Sequence, residues 1–507
     1  MSRQASSIVS GQLIIWGVIA LGLYAAFQAG NIIADGGFGE VFLYIAGTLW
    51  VLAVITIRRF WWIPLFIFLV IGFSSTALGF KIQGTDISGA LGLSCLMAML
   101  SMGQLKQAPR ERNLGIFFYL TMLYVGGHTV IYGINNYFSG DTQFKNIVKA
   151  YYGAFIPLVF LWLIDAYAQG KGLKKAVNAQ IILSLLFALI AVVVTFFLIP
   201  IPFISGDTIN FSWADPAGAA GFLRWTILPV FMLAVCLAGS SRGQKKIFYR
   251  LSAVLLLCMS IFGGGRVGLL MMVLFLLVWM ALRGKWRQLV ISGWLIVIAG
   301  GGLFIMGHTI DAKVLQGMPE GLQKVQRAIS IFMPADQQDD SQIMTEGSNQ
   351  WHQDLVNGAW EAATKDMTTF LFGNGFKGWD DSIDMKMFTY GAAYETAVKM
   401  AVRMGATETH FFSILTIFGL TGVLFYYGFM IEVLRRTLRV MKKCPEGSFA
   451  QTLCVFSASL LIVTLLVSPI GGAIPSYNMI YWMVGCLAAE PYLARVHSGK
   501  GSLATPG

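Results

Sequence analysis

Two stretches of this sequence carry residue types suited to anion binding and proton transfer. Gly263-Gly264-Gly265-Arg266 joins two apolar runs, and Thr407-Glu408-Thr409-His410-Phe411-Phe412 leads directly into another. Glycines let a backbone turn tightly and approach a ligand closely. A guanidinium at a low-dielectric edge can hold a diphosphate through paired hydrogen bonds, a geometry an ammonium cannot match. Arg224, in Gly221-Phe222-Leu223-Arg224-Trp225, opens a further apolar run and offers a second cation. Glu408 or His410 could take the proton of an attacking hydroxyl as general base. Each also has a plainer reading. Arg266 could snorkel to an ordinary lipid phosphate, and Glu408 or Thr409 could cap a helix while His410 is solvated.

The elements that must position these groups are apolar helices. Of the 507 residues, 12% are charged and 56% hydrophobic, whereas a water-soluble domain carries roughly 25% charged residues. Spanning hydrocarbon takes about 20 helical residues. By that measure about fourteen runs qualify: 9–28, 39–57, 60–79, 87–104, 114–133, 147–168, 176–200, 222–239, 247–262, 267–282, 288–306, 410–432, 450–468 and 475–493. The first lacks a small-residue cleavage site and reads as a retained helix. With the N-terminus in the cytoplasm, the inner connections and tails hold 23 Lys/Arg and the short outer ones 5. So strong a bias fixes the orientation and places both termini in the cytoplasm. The net charge of +11 therefore lines one membrane face and does not signal nucleic acid.

One outer connection is exceptional. Residues 307–409 hold 8 Lys/Arg and 14 Asp/Glu, a formal charge of −6. A loop of that length without structure of its own would be unusual. Trp351, Leu355, Ala359, Trp360 and Ala363 recur at helical spacing, as do Val314, Met318, Leu322, Val325 and Ile329. These stripes predict a helical subdomain facing lipid headgroups or the bundle. Residues 334–350 read as a polar connection, and Gly373-Asn374-Gly375 as a turn that sets backbone shape. The expected architecture is an all-α polytopic membrane protein: a bundle at 1–306, an outer helical subdomain at 307–409, and a second bundle segment with a cytoplasmic tail at 410–507. Cys95, Cys236, Cys258, Cys444, Cys454 and Cys486 lack C-x-x-C spacing and read as small buried side chains, with no metal site.

Taken in order, several segments resemble the O-antigen ligase and polymerase superfamily of bacterial inner-membrane glycosyltransferases, which have a GT-C-type fold. They are the Gly-Gly-Gly-Arg266 tip, the large outer loop, Trp360-Glu361-Ala362-Ala363, Phe372-Gly373-Asn374-Gly375-Phe376, and Thr409-His410-Phe411-Phe412 followed by Gly419 and Gly422. The resemblance covers roughly residues 215–432. It implies an undecaprenyl-diphosphate-linked glycan as substrate on the outer leaflet, Arg266 gripping the diphosphate, and no metal or cofactor. It further implies a residue before the twelfth span that activates the acceptor, with membrane lipids, a flippase and a chain-length regulator as partners. The family often has His eleven residues before the first glycine of its Gly-x-x-Gly. Here that position is Glu408, which is more similar to the repeat-unit polymerases than to the ligases. Ligases tend to carry Arg four residues before the loop Trp, where this chain has Val356; His352, Arg327 and Arg403 are alternatives to it.

The expected function is polymerisation of lipid-linked repeat units for O-antigen or exopolysaccharide, with inversion at the anomeric carbon. A ligase passing glycan to lipid A core or protein is the second reading. A flippase or transporter is the third, since about fourteen spans are common there. Ion-coupled transporters, however, keep ionisable groups near the midplane and show related halves, and neither is visible in this sequence. Asp35, Glu40 and Asp86, in the first two outer loops, are minor catalytic candidates.

Overall fold

The computed structural model describes residues 81–82, 85–86, 116–140, 172–197, 209–210, 219, 221–223, 227–261, 266–291, 293–294, 298, 340–375, 398–402, 407 and 409–469. Spans expected at 9–28, 39–57, 60–79, 87–104, 147–168 and 475–493, and the 314–329 stripe, lie outside these residues. Described helices, numbered in chain order, are α1 (Ile116–Phe138), α2 (Gly172–Phe197), α3 (Ile227–Ser240), α4 (Gly243–Ile261), α5 (Arg266–Leu282), α6 (Asp340–Thr364), α7 (Met367–Phe372), α8 (His410–Lys443) and α9 (Phe449–Val467). Helix dominates, as expected. The exception is a small antiparallel sheet of two-residue strands, Thr85–Asp86, Lys81–Ile82 and Ile209–Asn210 in that order, with Lys81 opposite both Asp86 and Asn210. Their pairing requires that the 81–86 and 209–210 segments share a side, as the charge pattern predicts.

The core forms around α3. This helix carries no charged residue, and Ile227 through Ala234 are all buried. A helix that is apolar all round must be surrounded, and α3 packs against α2, α4, α5 and α9. Helix α9 is its counterpart: Ser457, Ala458 and Ser459 are buried side by side, small residues that let helix backbones approach closely. Ser448 starts α9 by accepting the Gln451 N–H, a conventional N-cap. Just past the end of α5, Arg283 Nη1 donates to Gln451 Oε1 at 3.2 Å. The C-terminal end of α5 thus meets the N-terminal end of α9, so these packed helices run antiparallel.

By length and composition, three described helices could cross a membrane: Val177–Phe197, His410–Lys443 and Phe449–Val467; Ile227–Ser240 and Leu270–Leu282 are shorter apolar helices. Helix α4 turns Leu251, Val254, Leu255 and Cys258 outward, a contiguous apolar face that water would not solvate favourably. The exposure of Cys258 corrects the expectation of buried cysteines, whereas Cys236, Cys444 and Cys454 are buried.

Three other expectations change. Eleven of the seventeen residues of the polar connection at 334–350 belong to α6, which starts at Asp340. Once Leu355 and Ala359 are packed, each extra N-terminal residue joins an existing helix, and nucleation costs nothing further. Trp360 leaves the predicted stripe: it is 50% exposed, while Leu355, Ala359 and Ala363 are fully buried. That stripe faces Val398, Val402 and α8 and not lipid headgroups.

The third change concerns the run 410–432, which reads as one span but is broken at Gly419 (φ 67°, ψ −172°). In an unbroken helix His410 and Tyr426 would lie about 24 Å apart; their rings are 5.0 Å apart. Residues 410–418 (α8a) therefore fold back along 420–443 (α8b).

Candidate functional site

The fold-back leaves the last carbonyls of α8a without helical partners. Each finds an external donor. Asn374 N–H bonds to the Thr416 carbonyl at 2.9 Å and Gly375 N–H to the Ile417 carbonyl at 3.0 Å. The Tyr124 hydroxyl donates to the Phe418 carbonyl at 2.7 Å. At the other end of α8a, Phe411 N–H bonds to the Ser468 carbonyl at the end of α9. A helix of nine residues would be marginal alone, and these four bonds hold it.

The Gly373-Asn374-Gly375 turn fits the break because both backbones can approach. Gly373 (φ 78°) and Gly375 (φ 70°) take left-handed conformations. A Cβ on Gly419 would stand 2.5 Å from Gly373 N, and one on Gly373 would meet the Ile417 carbonyl oxygen. Asn374 Nδ2 also reaches the Ala362 carbonyl at 3.3 Å, while Ala363 is buried among Ile414, Leu415 and Val423. Three segments singled out in the sequence, the Trp360–Ala363 helix, the glycine turn and the Thr409–Gly422 stretch, form one packed unit.

Helix α7 delivers the turn. Asp366 is its N-cap, accepting the Thr369 N–H at 2.8 Å and the Thr369 hydroxyl at 2.9 Å. The backbone bond first, and then the hydroxyl, holds this carboxyl below its ordinary value. A depressed carboxylate stabilises the fold above its unfolded pKa, and the effect is lost as pH falls through the lower, folded pKa. The Asp366→Ala variant should therefore exchange the 367–372 amides faster than the parent at neutral pH. The gap, corrected for intrinsic rates, should close in acid below the normal carboxylate range; a gap that persists there would exclude the capping carboxylate as its cause.

Helix α1 supplies the opposite wall. Phe117 N–H donates to Glu432 Oε2 at 3.2 Å, and the Thr121 hydroxyl to the Phe425 carbonyl at 2.9 Å. Tyr124 and His128 continue the series, the latter reaching the Phe372 carbonyl at 2.6 Å. Residues 117, 121, 124 and 128 share one face of the helix, so α1 runs antiparallel to α8b and passes the glycine turn at His128 and Tyr132.

His410 heads α8a and is 6% exposed, its Nε2 enclosed without a hydrogen-bond partner among the described residues. Its ring meets Tyr426 edge-on and lies 6.2 Å from Tyr427, whose hydroxyl bonds to Ser468 Oγ at 2.9 Å. The solvated reading of His410 is thereby replaced, and the N-cap, Thr409, makes no side-chain capping bond. Arg266 begins α5. Counting back along α5 from the Arg283–Gln451 contact, and forward along α9, gives equal rises to Arg266 and Ser468. The backbone of Arg266 is thus at the end of the α5–α9 pair where Ser468 holds the head of α8a.

His352 lies on the exposed side of α6, about 16 Å along the axis from Ala363, and is not part of the packed unit. Glu408, Arg224, Arg327, Arg403, Asp35 and Glu40 lie outside the described residues. Asp86 contributes backbone to the small sheet. Sequence reasoning gave no role to Tyr124 or His128, and their partners lie 294 and 244 residues away. Their spacing with Thr121 on one face of α1 is the only local signal they carry. No protein-family model matches this chain, and no curated protein matches it.

Proposed function

We propose that the chain is an inner-membrane glycosyltransferase of bacterial GT-C type, with about fourteen spans, that polymerises undecaprenyl-diphosphate-linked repeat units on the outer face. One observation carries this reading: the outer-loop helix, the glycine turn and the head of α8 form one unit, at the end of the bundle where Arg266 begins α5. Those are the segments through which the sequence resembles the O-antigen ligases and polymerases. In the proposed reaction an acceptor hydroxyl oxygen attacks the anomeric carbon from the face opposite the lipid diphosphate. The carbon–oxygen bond breaks with its electron pair passing to the diphosphate, and the hydroxyl proton passes to the base. Arg266, with Arg224 as second cation, neutralises the leaving diphosphate. Burial of the His410 ring beside Tyr426 and Tyr427 favours Glu408 as the base and gives His410 the task of seating α8a.

The test is to supply purified protein in vesicles with a single lipid-linked repeat unit. A ladder of products supports a polymerase. Transfer only to an added second acceptor indicates a ligase, and passage across the bilayer with no change in glycan length indicates a flippase. Glu408→Gln should slow transfer by roughly 10²–10⁴-fold, while His410→Ala should chiefly destabilise the protein through the cavity it leaves, by about 2–4 kcal/mol. Unimpaired transfer in both would remove both as catalysts.

A further inference from the structure

Phe372 contributes a backbone carbonyl that faces away from its own short helix and receives the imidazole of His128 at 2.6 Å. A carbonyl can only accept, so Nε2 carries the proton. The ring is held by its neighbours: stacked on Tyr132 at 4.2 Å and 15°, with Phe418 at 5.0 Å and Tyr124 at 5.5 Å. It is buried, and Nδ1 has no partner among the described residues. A fixed ring of this kind costs little further entropy when it holds a backbone group. The Tyr124 hydroxyl stands between the two sides of the junction, donating to Phe418 at 2.7 Å and lying 3.4 Å from the Phe372 carbonyl. On the far side of the turn, a Cβ on Gly375 would stand 2.6 Å from the Tyr132 Cβ. Three residues of one α1 face thus bracket the glycine turn where it enters the break in α8.

We propose that His128 is a positioning residue: by holding the Phe372 carbonyl it seats the Gly373–Gly375 turn on the last carbonyls of α8a, and so sets the register of α8a and of His410 at its head. This rests on the glycan-transfer reading for its consequence, but not for its geometry. His128 touches neither donor nor acceptor; it acts through backbone. A consequence is that the active site draws on the N-terminal half of the bundle, well outside the 215–432 stretch that carries the family resemblance.

The experiment compares the parent, His128→Ala and His128→Gln in lipid nanodiscs, because a glutamine amide can donate to the same carbonyl. Hydrogen exchange over 371–376 reads the seating directly, through the Asn374 and Gly375 amides. In His128→Ala it should quicken by roughly tenfold, the effect of one lost buried hydrogen bond, with α9 amides unchanged and His128→Gln largely restored. Glycan transfer should lose turnover by a similar factor at constant KM, again with recovery in the glutamine variant. Unchanged exchange in His128→Ala, or quickening shared equally by α9, overturns the proposal. If the parent itself transfers no glycan, the functional reading fails, and the exchange pattern alone decides whether His128 seats the turn.

Discussion

Replacing Gly419 by alanine should be among the costliest single-methyl additions to the packed unit. At φ 67° and ψ −172° this residue occupies a region essentially restricted to glycine, and forcing a side chain there costs about 1–3 kcal/mol. Space adds to the penalty. The new Cβ would stand 2.5 Å from Gly373 N, from Leu371 C and from Phe372 N, all backbone atoms that cannot rotate aside. Either the glycine turn leaves the break or α8 straightens. The first strands the Thr416 and Ile417 carbonyls; the second returns them to helical donors but pulls His410 from Tyr426. We expect a total loss on the order of 3 kcal/mol or more, read as a lower unfolding midpoint and faster exchange over 371–376 and 410–418. Gly127→Ala is the matched control: it is in the middle of α1, nothing lies within 4 Å of the place its Cβ would take, and helix propensity favours alanine by about 0.8–1.0 kcal/mol. Equal stability of the Gly419 variant and its parent would mean that α8 does not need the fold-back.

What the sequence made legible followed from local period. The boundaries of α3, α4, α5 and α9 differ from the expected apolar runs by only a few residues, because an uncharged run of helical length has few other solutions. The glycine turn was legible for a similar reason, since Gly-x-Gly after an amphipathic helix announces backbone freedom. The break at Gly419 was not. Residues 410–432 are continuously apolar, and no local pattern distinguishes a glycine that continues a helix from one that reverses it. The difference is made by Gly373, 46 residues earlier in the chain, whose backbone nitrogen lies 2.5 Å from where a Cβ on Gly419 would stand. The role of α1 was hidden for the same reason, as Thr121, Tyr124 and His128 show their purpose only against carbonyls freed elsewhere. Trp360 departs from its stripe because aromatic character alone does not decide burial: the small Ala359 and Ala363 make the close contacts, and a large ring would hold the helices apart.

A large functional effect, with an opposite effect on stability, should come from Arg266. It is the first residue of α5, and that helix has no acidic residue in its first turn. A cation there adds to the positive end of the helix dipole, an arrangement that opposes stability by roughly 0.3–1 kcal/mol unless an anion is present. The unpaired N–H groups of a helix start, together with a guanidinium, can make a cradle for phosphate oxygens. Arg266→Ala should therefore leave the protein as stable as the parent, or slightly more so, while transfer falls by roughly 10²–10³-fold, the usual cost of removing a charge-stabilising donor. Arg266→Lys restores the charge without the fork and should recover only part of that loss. The two effects, on stability and on transfer, separate an anion site from a structural cation, since a structural arginine would lose both together. A full-length product ladder from a correctly inserted Arg266→Ala protein would end the assignment of this residue to the diphosphate.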